Sequence, residues 1–259
     1  MAFCFYNEDE CHSIFICLFF MKKILLINCF LLLSCPLFAQ KKAKAYKDGE
    51  WLKYKMSYSG FFKAGTAELS LKETELDGKK VFHANGFGKT SDFIGWFFKV
   101  SDTYESYFDF NNNVPYLFKR DVNEGGYIIK RDTKFDHETK IATVEDFKYN
   151  TIKEVPFDNV QDMISAFYYL RNNYDTDSIK IGDEVTLNMF FDSENFDFKL
   201  KYLGKETIRT KFGKVKCLMF RPYVMAGRVF KEQESLTLWV SADKNKIPLK
   251  VKADLAVGS

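Results

Sequence analysis

Apolar and polar residues alternate along most of the chain from about residue 50 onward. Leu52, Tyr54, Met56 and Tyr58 interleave with Lys53, Lys55 and Ser57, and Ala67, Leu69 and Leu71 interleave with Glu68, Ser70 and Lys72. A period of two gives a strand one apolar face. Asp77-Gly78 is a hairpin signal ahead of Val81–Gly86. Gly125-Gly126, Gly182-Asp183, Asp192-Ser193, Gly204-Lys205, Gly213-Lys214 and Asp243-Lys244-Asn245 are further turn signals. Most such signals recur at intervals of roughly 8–15 residues, the rhythm of an antiparallel meander, sandwich or barrel.

Two segments break the alternation. Val160, Met163, Ile164, Phe167 and Leu170 recur at helical spacing, with Asp158 or Asn159 available as N-cap, Asp162 in the first turn and Arg171 in the last. This spacing predicts one amphipathic helix over about 160–173, dividing strands at about 50–157 from a second set at about 183–259. Phe93-Ile94-Gly95-Trp96-Phe97-Phe98 is a short apolar run that reads either as a buried strand or as a turn covering an open end of the sheet.

The N-terminal region reads as an export address. Lys22 and Lys23 precede the apolar run Ile24–Leu33, and Leu37-Phe38-Ala39 supplies a small residue at a cleavage point. Basic start, short apolar core and small-residue exit define a secretory signal peptide, here 21–39 with cleavage after Ala39. The run is shorter than the ~20 residues that span a bilayer, so no transmembrane span is expected in the mature chain. Leu32-Leu33-Ser34-Cys35 also resembles a lipobox, which makes Cys35 a candidate for lipidation. Residues 1–20 carry Glu8, Asp9 and Glu10, which oppose a basic n-region, and read as a spurious extension ahead of a true start at Met21. A single domain is expected over 46–259.

Composition narrows the chemistry further. The net charge is only +3, with no basic block, so nucleic acid is not an expected partner. Of six cysteines, Cys4, Cys11, Cys17, Cys29 and Cys35 precede Gln40, which leaves Cys217 and no internal disulfide. The exported domain must rely on its core, for which a 259-residue chain with 28 Phe and 14 Tyr provides material.

Three separated patches carry a family resemblance. Val160–Arg171 is similar to the central motif of the bacterial exported family named domain of unknown function 3108. Glu50-Trp51-Leu52 with Gly65-Thr66-Ala67, and Leu238–Asp243 with Ile247–Val251, resemble its beginning and end. The resemblance implies an exported envelope protein with a mainly β fold: a strongly curved antiparallel sheet, or an open barrel-like domain, with one central helix. It implies no activity. Family members continue beyond Ser259, which marks the C-terminus as a candidate truncation.

No catalytic constellation stands out. The mature chain holds His83 and His137 without an HxH, HExxH or CxxC pattern, so neither metal nor cofactor is expected. There is no nucleophile elbow, phosphate loop or dinucleotide fingerprint. Cys217, between Lys216 and Leu218, reads as a buried inert thiol. The expected function is therefore non-enzymatic binding of a lipid, glycolipid or other apolar component of the periplasm or outer-membrane periphery. Phe93, Ile94, Trp96, Phe97 and Phe98 are candidate lip contacts, and Tyr168 and Tyr169 a polar-tipped wall. Such a binder calls for an apolar cavity of at least ~300 Å³. Two alternatives remain open. An envelope assembly or scaffold factor would show an exposed apolar patch. A cryptic hydrolase would show carboxylates, or His83 with an acid, converging within hydrogen-bond reach.

Overall fold

A computed structural model describes residues 44–58, 62–223 and 236–253. The segment read as a signal peptide, Cys35 and the chain's two ends lie outside the described residues. Eight strands form the first sheet: β1 (Trp51–Tyr58), β2 (Phe62–Leu76), β3 (Lys79–Thr90), β4 (Ser101–Asp109), β5 (Pro115–Glu124), β6 (Tyr127–Asp136), β7 (Ile141–Asp146) and β8 (Thr151–Pro156). They pair antiparallel in chain order, a plain meander with open edges at β1 and β8. Five more form the second: β9 (Glu184–Phe191), β10 (Glu194–Thr210), β11 (Gly213–Pro222), β12 (Leu236–Ser241) and β13 (Pro248–Ala253). The mainly β, antiparallel, unclosed architecture expected from the sequence is thus the one observed.

The turn residues explain the hairpins. Asp77 (φ 49°) and Gly78 (φ 75°) both take positive φ, as a two-residue turn matched to strand twist requires. Asp192 (φ 50°) and Ser193 (φ 65°) make the same turn between β9 and β10.

Helix α1 spans Asp92–Gly95 and α2 spans Met163–Asn173. Helix α2 begins later than its apolar spacing predicts, and its cap is neither Asp158 nor Asn159. Asn159 sits in a turn at φ 49°. Gln161 is drawn into extended pairing with β9: its N–H donates to the Asn188 carbonyl, and its carbonyl accepts from the Phe190 N–H, both at 2.9 Å. Asp162 then caps the helix. Its carboxylate accepts from the Ile164 and Ser165 amides at 2.8 and 2.7 Å, while the Ser165 hydroxyl accepts from the Asp162 N–H at 2.9 Å. This reciprocal pair satisfies three of the polar groups that a helix start leaves exposed.

Helix α2 lies between the sheets and packs on both. Ile164 and Tyr168 join Leu71, Phe82, Ala84, Phe108, Phe135 and Val144 of the first sheet. Ala166 meets Leu187 and Met189 of β9, and Leu170 meets Leu200, Leu218 and Phe220 of the second sheet. The run Phe93–Phe98 is not a buried strand. It forms α1 and the turn after it, and α1 buries none of its residues.

Candidate functional site

The C-terminal half of α2 does not close fully onto the second sheet. Phe167, Leu170, Arg171 and Tyr174 face Leu200 of β10, Leu218 and Phe220 of β11, Leu238 and Val240 of β12, and Pro248 of β13. The recess between them holds about 460 Å³ of space free of atoms, open solvent at its mouth included. Only a small fraction of that volume is enclosed, so the site is a shallow recess and not the closed apolar cavity of at least ~300 Å³ expected of a binder. Strand register builds its floor: Leu218 pairs with Val240 and Phe220 with Leu238, which brings four apolar side chains into adjoining rows.

Two cations lie at the recess. The Arg171 guanidinium donates to both Glu50 oxygens at 2.6 and 2.8 Å and to the carbonyls of Ala45 and Asn245 at 3.1 and 3.0 Å. Its charge is thereby matched and its position fixed. The Lys246 ammonium donates to the Tyr174 carbonyl at 2.6 Å. The Tyr174 hydroxyl is buried and has no hydrogen-bond partner among the described residues. Burial raises its pKa, so the wall carries a neutral phenol able to donate one hydrogen bond. Arrangements of this kind accept an apolar group and offer it one polar handle.

None of the residues proposed from sequence as ligand contacts lines this recess. Tyr168 is fully buried in the main core, stacked on Phe108 at 5.3 Å and edge-on to Tyr46 at 4.7 Å. Burial raises its phenol well above the ordinary range. Tyr169 packs beside Ala166, Leu187 and Met189. Phe93, Trp96, Phe97 and Phe98 are exposed on α1 and the turn after it. The recess residues here are instead Phe167, Leu170 and Arg171 of α2 and Tyr174 at its C-cap. Phe167 and Leu170 belong to the apolar stripe read from the sequence, and Tyr174, four residues past Leu170, follows them just beyond the helix end.

The histidines separate into two environments. His83 Nε2 lies 2.7 Å from Glu105 Oε2, and its ring stacks on Tyr107 at 4.2 Å. Lys119, an ion-pair partner of Asp132 at 3.7 Å, pairs in register with Glu105. Burial raises the Asp132 carboxyl, with Glu145 and Glu105 adding to the effect and Lys119 opposing it. His83 therefore meets an acid within hydrogen-bond reach, the geometric condition set for a histidine-based hydrolase, although neither partner lines the recess. His137 Nε2 lies 2.7 Å from the Pro115 carbonyl, and its ring sits edge-on to Tyr116 and Phe157. Cys217 is buried, and burial pushes its thiol pKa up. Among the described residues, no group of three or more His, Cys, Asp or Glu is placed to hold a metal ion. No helix among them is long and apolar enough to cross a membrane.

Comparison with solved structures finds the crystal structure of a beta-barrel-like protein of domain of unknown function DUF1849 from Brucella abortus. It is 9% identical, with a TM-score of 0.47, and the match covers 80% of this chain and 91% of that one. No curated protein matches the chain. A family model does match, over residues 53–259, and its span takes in both sheets, α2 and the recess. The chain belongs to the family described as protein of unknown function DUF3108.

Proposed function

We propose that this chain is a non-catalytic binding protein of the cell envelope that holds an apolar group, such as an acyl chain of a lipid or glycolipid, in the recess between α2 and the second sheet. The observation that carries this reading is the lining: eight of the side chains named above, Phe167, Leu170, Leu200, Leu218, Phe220, Leu238, Val240 and Pro248, are hydrocarbon. Each methylene moved from water into such a site contributes about 0.8 kcal/mol, so a short stretch of chain suffices for measurable affinity. The Tyr174 hydroxyl supplies a donor for an ester or carboxyl oxygen. The export signal read at 21–39 supports an envelope location, where such ligands are abundant.

The test is a fluorescent apolar probe, N-phenyl-1-naphthylamine, titrated into the protein and then displaced by a fatty acid. Saturable enhancement that the fatty acid reverses, and that a Leu218→Trp substitution abolishes, is the expected result. Enhancement that is absent, or unchanged in the Leu218→Trp protein, overturns the reading.

A further inference from the structure

We propose that the aromatic tip around α1 seats in the interfacial layer of an anionic phospholipid bilayer, and so docks the domain on a membrane surface. The tip is a second apolar feature, separate from the recess. Trp96 is 83% exposed, Phe97 70%, Phe93 62%, Phe98 53% and Phe62 43%. The rings touch one another: Phe62 and Phe93 at 5.6 Å, Phe93 and Phe97 at 5.9 Å, Trp96 and Phe97 at 5.0 Å. Together they expose on the order of 600 Å² of apolar surface, at the upper end of what a monomer shows as its largest patch.

The backbone under the tip is tied down, so the rings are presented in a fixed direction. The Ser91 hydroxyl donates to the Lys63 carbonyl at 3.0 Å, and the Val100 N–H donates to the Thr90 hydroxyl at 3.0 Å. The Gly125 N–H donates to the Lys99 carbonyl at 2.8 Å. Phe98 lies against Gly125 so closely that a Cβ there would collide with its ring. Phe62, Phe93, Trp96 and Phe97 form one exposed ring cluster on this fixed backbone, a surface suited to insertion among headgroups.

Charge selects the partner. Lys55, Lys63, Lys89 and Lys99 are exposed at this end of the sheet, where Lys55 and Lys89 flank Thr66 in one cross-strand row. The acids beside them include Asp92, Glu124 and Glu68, whose carboxylate ion-pairs with Lys53 at 2.7 Å and also feels the charge of Lys89. A tryptophan and phenylalanine cluster inside a lysine-rich rim matches a surface of apolar acyl chains beneath anionic headgroups. It does not call for the acidic-rimmed groove that a protein partner would need.

The experiment is co-sedimentation of the full chain with vesicles of phosphatidylglycerol and phosphatidylethanolamine, and with vesicles of phosphatidylcholine alone. We expect binding to the anionic vesicles, weakened by salt and markedly lower on phosphatidylcholine. The double variant W96S/F97S should lower the partition by about tenfold or more with an unchanged circular dichroism spectrum, because both side chains are exposed. The triple variant K63E/K89E/K99E should lose the preference for anionic lipid. Brominated lipid should quench the tryptophan fluorescence of the wild type, and Trp96→Phe should remove that quenching while binding persists. Vesicle binding equal in wild type and W96S/F97S, as an apolar N-terminal segment alone would produce, overturns the proposal. So does the absence of binding to either vesicle.

Discussion

Arg171, in the last turn of α2, grips Glu50 through both arms of its guanidinium, at 2.6 and 2.8 Å, with the arginine side chain 3% exposed. One contact thus joins the segment leading into β1 to the helix wall of the recess. The helix-dipole role expected for Arg171 is secondary to this pairing. Removing one partner of a buried pair leaves the other charged and unsolvated, which costs about 3–5 kcal/mol. Glu50→Ala should therefore lower stability by about that amount, read from urea unfolding midpoints at neutral pH. It should also weaken apolar-probe binding, because Arg171 would no longer be held.

Asp162 makes stability depend on pH. Its carboxyl is fully buried and is pushed up to about 6, chiefly by desolvation, against the hydrogen bonds from Ser106, Ser165 and Ile164 that favour its ionised form. The folded state therefore holds the proton more tightly than the unfolded chain, where Asp titrates near 4. Between about pH 4 and pH 6 the folded form binds more protons, so this group's contribution to stability falls as pH rises. The stability of the wild type relative to Asp162→Asn should drop by up to about 3 kcal/mol from pH 4 to pH 7. Parallel melting curves across that range check it; a difference that is flat or rises with pH contradicts it.

The hydroxyl of Ser106 donates to Asp162 at 2.6 Å, both residues being fully buried. Ser106→Ala would leave the carboxylate without that donor and should cost about 1–3 kcal/mol. The loss should be larger at pH 7 than at pH 4, because the charged acceptor is the form that needs the bond. Thermal melts of the variant at the two pH values read this difference.

Two adjacent glycines should respond differently to substitution. Gly125 (φ 59°) and Gly126 (φ 93°) share the turn between β5 and β6. A Cβ on Gly126 meets nothing within 4 Å, whereas one on Gly125 falls on the Phe98 ring. Gly126→Ala should cost about 1 kcal/mol from backbone strain alone. Gly125→Ala should cost more and shift the tryptophan emission of the aromatic tip.

Filling the recess separates binding from folding. Leu218→Trp places a larger apolar side chain on the recess floor and should cost about 1–3 kcal/mol by overpacking, while abolishing apolar-probe binding. Probe titration beside a urea melt of the same sample distinguishes lost binding from lost fold.

Local periodicity carried much of this fold. Alternation at Leu52–Tyr58 and Ala67–Leu71 and turn pairs such as Asp77-Gly78 correspond to observed strands and hairpins. Helix α2 was legible in type but not in its start. Asp162 could be placed only once its capping partners Ile164 and Ser165, and the pairing of Gln161 with β9, were known. The recess was not legible, because Leu200, Leu218 and Leu238 come from three strands whose facing sides are set by register. The same holds for His83 and Glu105, which meet across β3 and β4 although 22 residues apart. The apolar run at Phe93–Phe98 left a buried strand and an apolar turn both open for a related reason. Hydrophobicity alone does not distinguish a core segment from an exposed tip.

The most direct test of the central claim is native mass spectrometry of the wild-type protein and the Leu218→Trp variant, each purified from its own envelope and followed by organic extraction. We expect a lipid or glycolipid adduct near one-to-one on the wild type, released by solvent and absent from the variant. A bare wild-type mass, or an adduct that persists in the variant, would contradict it.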